Sequence, residues 1–124
     1  MLIFNRIQGL IDYTLCLLAH LPKKYNFTLK DKLFALAMEL IDHACRANQI
    51  KIRTLADYRE RLRLQNELLA TLVVMDQLLQ LAVRQKLLTP TQIERWAALC
   101  LEVRKMTLGW MKSDQQRQGK INLS

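Results

Sequence analysis

Thr54 to Lys86 is an uninterrupted run without Gly or Pro, charged near its start and almost wholly apolar in its second half. Nothing in it punctuates a helix, so the stretch is predicted to form one long α-helix, about 48 Å at a rise of ~1.5 Å per residue. Arg59, Arg61 and Arg63 stand near its beginning with Asp57 and Glu60, whereas Leu64 to Val83 holds no Lys or Arg. Leu68, Leu69, Leu72, Val73, Val74, Met75, Leu78, Leu79, Leu81, Ala82 and Val83 then make the second half greasy nearly all round. A helix on the surface of a single domain needs an apolar arc of only roughly 100°. This one must be covered on more than one side.

The flanking segments supply part of that cover. Ile3, Ile7, Leu10, Thr14, Leu17 and Leu21 recur at steps of three and four, the period of an amphipathic helix, which Pro22 stops. Thr28 and Asp31 have the spacing of a capping box and predict the start of a second helix. Its buried face is Leu33, Leu36, Ala37, Leu40, Ile41, Ala44 and Ala47, and it fades near Asn48. Thr54 and Asp57 repeat the capping pattern ahead of the long third helix. Thr89-Pro90-Thr91-Gln92 is the strongest boundary: Thr suits the cap, Pro the first helical position, and Gln can reach back from the third. A fourth helix follows, with Ile93, Trp96, Ala97, Cys100, Val103, Thr107 and Trp110 facing inward, and runs to about Lys112. The predicted fold is all-α, an up-down-up-down four-helix bundle over residues 1–113, with 114–124 a mobile polar tail.

A chain of 124 residues needs only one domain, and 51% hydrophobic residues are enough to build its core. Nineteen Lys and Arg against eleven Asp and Glu leave a net charge of +8 and favour an anionic partner. Cys16, Cys45 and Cys100 lack Cys-x-x-Cys spacing and read as small core residues in a reducing, cytoplasmic protein. The apolar N-terminus is interrupted by Arg6, Asp12 and His20, unlike a signal peptide, and no membrane association is expected, because no stretch reaches the ~18 uncharged apolar residues of a span. No metal site and no cofactor are predicted: His43 and Cys45 point apart on a helix, and His-x-x-x-His is missing. His20 is expected to meet carbonyls at the end of the first helix. The chain also lacks a phosphate-binding Gly-rich loop, a Gly-x-Ser-x-Gly elbow and the Arg-to-His spacing of helical ribonucleases, so it is read as non-enzymatic.

An antiparallel bundle sorts the charges. The start of helix 1, the end of helix 2, the start of helix 3 and the end of helix 4 share one pole, which collects most of the basic residues. Arg46, Lys51, Arg53, Arg59, Arg63 and Arg104 are the candidate phosphate contacts. Arg59 and Arg63 are one helical turn apart, and Arg59 has no acidic partner at that spacing. Two other readings stay open: Asp57 or Glu60 pairs with Arg61, Arg63 or Arg53, or the pole docks an acidic protein. Tyr58 is a candidate for stacking on bases, whereas Trp96 and Trp110 lie on the inward face. At the opposite pole Lys23, Lys24, Lys30 and Lys32 read as a solvated surface.

Leu87-Leu-Thr-Pro-Thr91 and Leu101-Glu-Val-Arg-Lys-Met-Thr-Leu-Gly-Trp-Met-Lys-Ser113, with Leu21-Pro-Lys-Lys-Tyr25 between the first two helices, resemble the accessory variability determinant (Avd) proteins of diversity-generating retroelements. Proteins encoded by intervening sequences of ribosomal RNA belong to the same wider group of four-helix bundles and are an alternative reading. The Avd resemblance implies a homopentameric barrel that binds RNA or DNA and the element's reverse transcriptase, and so supports mutagenic cDNA synthesis without catalysis of its own. The chain departs from that pattern in carrying Asp76, Gln77 and Gln80 where Arg is common in the third helix.

Overall fold

A computed structural model describes the backbone of residues 1–123 and the side chains of residues 1–120, so Ser124 and the side chains of 121–123, at the end of the expected tail, lie outside the described residues. The first apolar stripe folds into α1, Leu2–Leu18, burying Ile3, Ile7, Leu10, Ile11, Thr14, Leu17 and Leu18. The helix stops a turn before Pro22, and His20 Nδ1 lies 2.9 Å from the Cys16 carbonyl, as its position predicts. A short 3-10 turn at Lys23–Tyr25 leads to α2, Leu29–Gln49. The long run becomes α3, Leu55–Arg84, and α4 runs from Pro90 to Leu123.

α1 packs on α2 and α4, and α3 packs on the same two helices, while the diagonal pairs stay apart. With short connections between consecutive helices, this ring is the up-down-up-down four-helix bundle. Its core joins Ile7, Leu10 and Leu17 of α1 to Leu33 and Leu40 of α2, Leu68, Leu72, Met75 and Leu79 of α3, and Trp96 and Val103 of α4. The Trp96 indole is fully buried and donates to the Thr14 hydroxyl at 2.9 Å, which itself donates to the Leu10 carbonyl at 2.8 Å. A polar group in an apolar core is tolerated when it is paired in this way.

The helix ends separate three similar signals. At Thr54 the capping box is complete: the hydroxyl accepts from the Asp57 amide, and the Asp57 carboxylate accepts from the Thr54 amide, each at 3.1 Å. Thr89 and Gln92 do the same at the start of α4, with Pro90 in the first helical position. Thr28 does not cap α2. Its ψ of −98° departs from the extended conformation of a capping residue, and its hydroxyl turns back to the Tyr25 carbonyl of the preceding 3-10 turn at 3.4 Å.

Two further expectations fail. α4 does not end near Lys112: the residues assigned to a polar tail continue the helix, and Asp114 is only 2% exposed. Its position completes the inward stripe of Trp96, Val103, Thr107 and Trp110, so the bundle extends beyond residue 113. Two of the three cysteines are not core residues either. Cys16 and Cys45 are exposed, because they lie off the inward faces of their helices, whereas Cys100 is half-buried and packs against the core. Burial pushes the Cys100 thiol up to about 11, with Asp76 adding to the shift and Arg104 opposing it.

α3 is long and apolar enough to cross a membrane by length and composition. In the bundle its inward side meets the other helices through Leu68, Leu72, Met75 and Leu79, while Val73, Val74 and Leu81 stay exposed on the opposite side. Past its end, Lys86 adopts a left-handed φ of 61°, and the Leu87 amide reaches the Ala82 carbonyl at 2.9 Å. That is a Schellman termination made with Lys where Gly is usual.

Candidate nucleic-acid interface

The pole where α2 ends and α3 begins is held by one buried arginine. Arg61 lies on the inward side of α3, 8% exposed, and its guanidinium makes a two-pronged contact with Asp114: Nε to Oδ2 at 2.7 Å and Nη2 to Oδ1 at 3.0 Å. Nη1 donates to the Ile50 carbonyl at 2.9 Å, and the Trp110 ring centroid lies 5.0 Å from the guanidinium carbon. Gln65 adds a bond to Asp114 Oδ2 at 2.8 Å, and Arg117 adds one to Oδ1 at 3.2 Å. One side chain therefore ties α3 to α4 and pins the α2–α3 connection. A buried pair of this kind matters less for its net strength than for the penalty of breaking it, about 3–5 kcal/mol when one partner is removed.

Beside this cluster opens a recess of about 450 Å³. Asn48, Ile50 and Ile52 line it together with the already engaged Arg61 and the cations Lys51, Arg53, Arg117 and Lys120. Among the described residues, no carboxylate lines it. Two carboxylates close to lining residues in sequence are both occupied: Asp57 accepts from the Arg53 and Thr54 amides at 3.1 Å, and Asp114 is enclosed by its own partners. Among the described residues, Lys51, Arg53 and Lys120 make no ion pair, so their charges face the recess uncompensated.

The six candidate phosphate contacts are not one cluster. Lys51 and Arg53 enter the recess. Arg59 has no carboxylate partner among the described residues but lies on the outer face of α3, beside Leu62 and Asn66. Arg63, one turn further on, is clamped between Glu60 and Glu67, with its Nε 3.0 Å from Glu60 Oε2. The Arg63 hydrogen bond holds the Glu60 carboxyl below its ordinary value, and Arg63 is raised in return. Arg46 places Nε 3.0 Å from both oxygens of Asp42. Of the two open readings, pairing with acids thus holds for Arg63 through Glu60 but not for Arg53, since Asp57 serves the helix cap.

Arg104 is separated from the rest. Because α4 continues past Lys112, the pole lies level with Asp114, and Arg104 sits about ten residues, ~15 Å, back along the axis. There it acts on Cys100 beside Asp76 of α3. Arg117 and Lys120, which the sequence places at this pole as part of a mobile tail and not among the candidate contacts, line the recess in its stead. The inward spacing from Trp110 to Asp114 is the signal that could have found them. Tyr58 is half-buried near the start of α3, so only part of its ring is open to a base.

Chemically, the pole offers cations on a rigid frame. Among the described residues, no three His, Cys, Asp or Glu side chains converge as metal ligands would. No curated protein and no solved structure matches the chain. The model of the bAvd-like family does match, over residues 1–114, a span that takes in α1, α2, α3 and the part of α4 up to the aspartate that Arg61 holds. The chain belongs to the bAvd-like family, a family of accessory proteins.

Proposed function

We propose that this protein is a non-enzymatic accessory factor of a diversity-generating retroelement, binding template RNA or its cDNA at the basic pole and working with the element's reverse transcriptase in the cytoplasm. Family membership supports the retroelement context. The observation that carries nucleic-acid binding is the recess at residues 48–53, where, among the described residues, cations without ion pairs gather and no carboxylate lines the wall. Such a concave, one-signed surface concentrates potential and attracts a polyanion, and each phosphate neutralised releases counterions.

Self-association belongs to the same reading. Val73, Val74 and Leu81 are 51%, 43% and 43% exposed on the outer side of α3, between charged positions at either end. A second copy of the chain would cover them, and a homopentamer is the assembly that membership of an Avd family suggests. Native mass spectrometry of the purified chain is expected to give five times the 14.6 kDa mass of one subunit. Replacing Val73 and Leu81 by Lys is expected to release monomers. A wild-type monomer at micromolar concentration would refute the assembly.

Binding is tested by titrating single-stranded RNA and DNA at several salt concentrations. The affinity should fall with log salt by about 0.7 for each phosphate neutralised. If neither binds at moderate salt while an acidic protein does, the pole is a protein-docking surface instead.

A further inference from the structure

We propose that the recess is a phosphomonoester pocket, which seats the phosphorylated end of a nucleic-acid strand rather than a phosphodiester from its interior. The inference rests on the nucleic-acid reading above and gives it a specific ligand.

Charge distribution is the first ground. On the outside of the bundle Arg46 is satisfied by Asp42 and Arg63 by Glu60 and Glu67, which leaves Arg59 as the one candidate contact of that face without an ion pair among the described residues. In the recess, Lys51, Arg53 and Lys120 have no such partners among the described residues, and Arg117 shares Asp114 with Arg61. An internal phosphodiester brings a single charge on two free oxygens. A terminal phosphomonoester brings three oxygens and a charge of about −2 near neutral pH, a closer match to several converging donors.

Shape is the second. The recess is a hollow of about 450 Å³, within the range of ~300–1,000 Å³ that small-molecule sites occupy. A strand passing through must leave on two sides, whereas a strand end leaves on one. Ile50 and Ile52 in the lining give the sugar and base of that last nucleotide an apolar surface. The frame is set in advance: Arg61 holds the Ile50 carbonyl at 2.9 Å, and Asp57 holds the Arg53 amide at 3.1 Å. A loop ordered before the ligand arrives pays no ordering entropy on binding.

Fluorescence anisotropy with the full chain and one short single-stranded oligonucleotide, carrying a 5′-phosphate, a 3′-phosphate or hydroxyls at both ends, tests the pocket. A phosphorylated end is expected to bind about tenfold tighter than the hydroxyl form at the same salt. Lys51→Gln combined with Arg53→Gln should abolish that preference with the melting curve unchanged, and Arg59→Gln on the outer face should retain it. Equal binding of all three oligonucleotides overturns the pocket and leaves general nucleic-acid binding standing. No binding of any of them overturns both. Adenosine monophosphate displacing the phosphorylated strand at equal affinity would assign the pocket to a free nucleotide and overturn the strand-end assignment.

Discussion

Arg61 and Arg63 are two residues apart on one helix, and their surroundings could hardly differ more. Arg61 points into the bundle and meets Asp114, Ile50 and Trp110, all beyond its own helix. Arg63 points outward and meets Glu60 and Glu67, both within one turn of it. The inner contact joins three parts of the fold in a water-poor site, whereas the outer one is a local pair that solvent and salt can replace. Neither arginine is free for a polyanion. Lys51, Arg53 and Lys120, which make no ion pair among the described residues, line the recess beside the inner contact, so the buried bridge shapes the site without serving in it.

Asp114→Ala breaks the comparison most severely. It strands the Arg61 charge in the core and is expected to cost about 3–5 kcal/mol in denaturant unfolding. Replacing both partners, Arg61→Met with Asp114→Leu, should recover most of that loss, since an apolar pair carries no desolvation penalty. Glu60→Gln on the outside should leave the unfolding midpoint near wild type. Acid titration sharpens the same contrast. The Glu60 carboxyl is lowered in the folded chain, so its contribution is present above the unfolded carboxylate value and is lost as pH falls through the folded one. A Glu60→Gln chain should lack this component of the acid transition.

The smaller effects lie away from the pole. Lys86→Gly is expected to gain up to about 1 kcal/mol, because Gly occupies the left-handed region without the clash that Lys bears there. Iodoacetamide labelling followed by mass spectrometry should modify exposed Cys16 and Cys45 well before Cys100, whose thiol is pushed up to about 11 and stays protonated at pH 8.

Much of this fold was legible because it is written in local rules. The stripes of α1 and α2, the long α3 and the caps at Thr54 and Thr89 each depend on residues within a few positions of one another. Thr28 carries the same kind of pattern and does not cap, because the turn before it offers the Tyr25 carbonyl to its hydroxyl. The end of α4 was missed for the opposite reason. Asp114 looks like a solvent residue until Arg61, far away in sequence, is known to face it. The same error placed Arg104 at the pole and left Arg117 and Lys120 out of the site. Charge type was readable from the residues, but pairing depended on register between helices, which only the folded chain provides.

The most direct test compares the salt dependence of single-stranded RNA binding in two charge-matched variants. Lys51→Gln with Arg53→Gln removes unpaired cations from the recess, and Arg46→Gln with Arg63→Gln removes the same number from paired surface sites. The first should lower the slope of log affinity against log salt by about 1.4, and the second should leave it close to wild type. Equal losses in both, or a loss confined to the second, would contradict the assignment of binding to the recess.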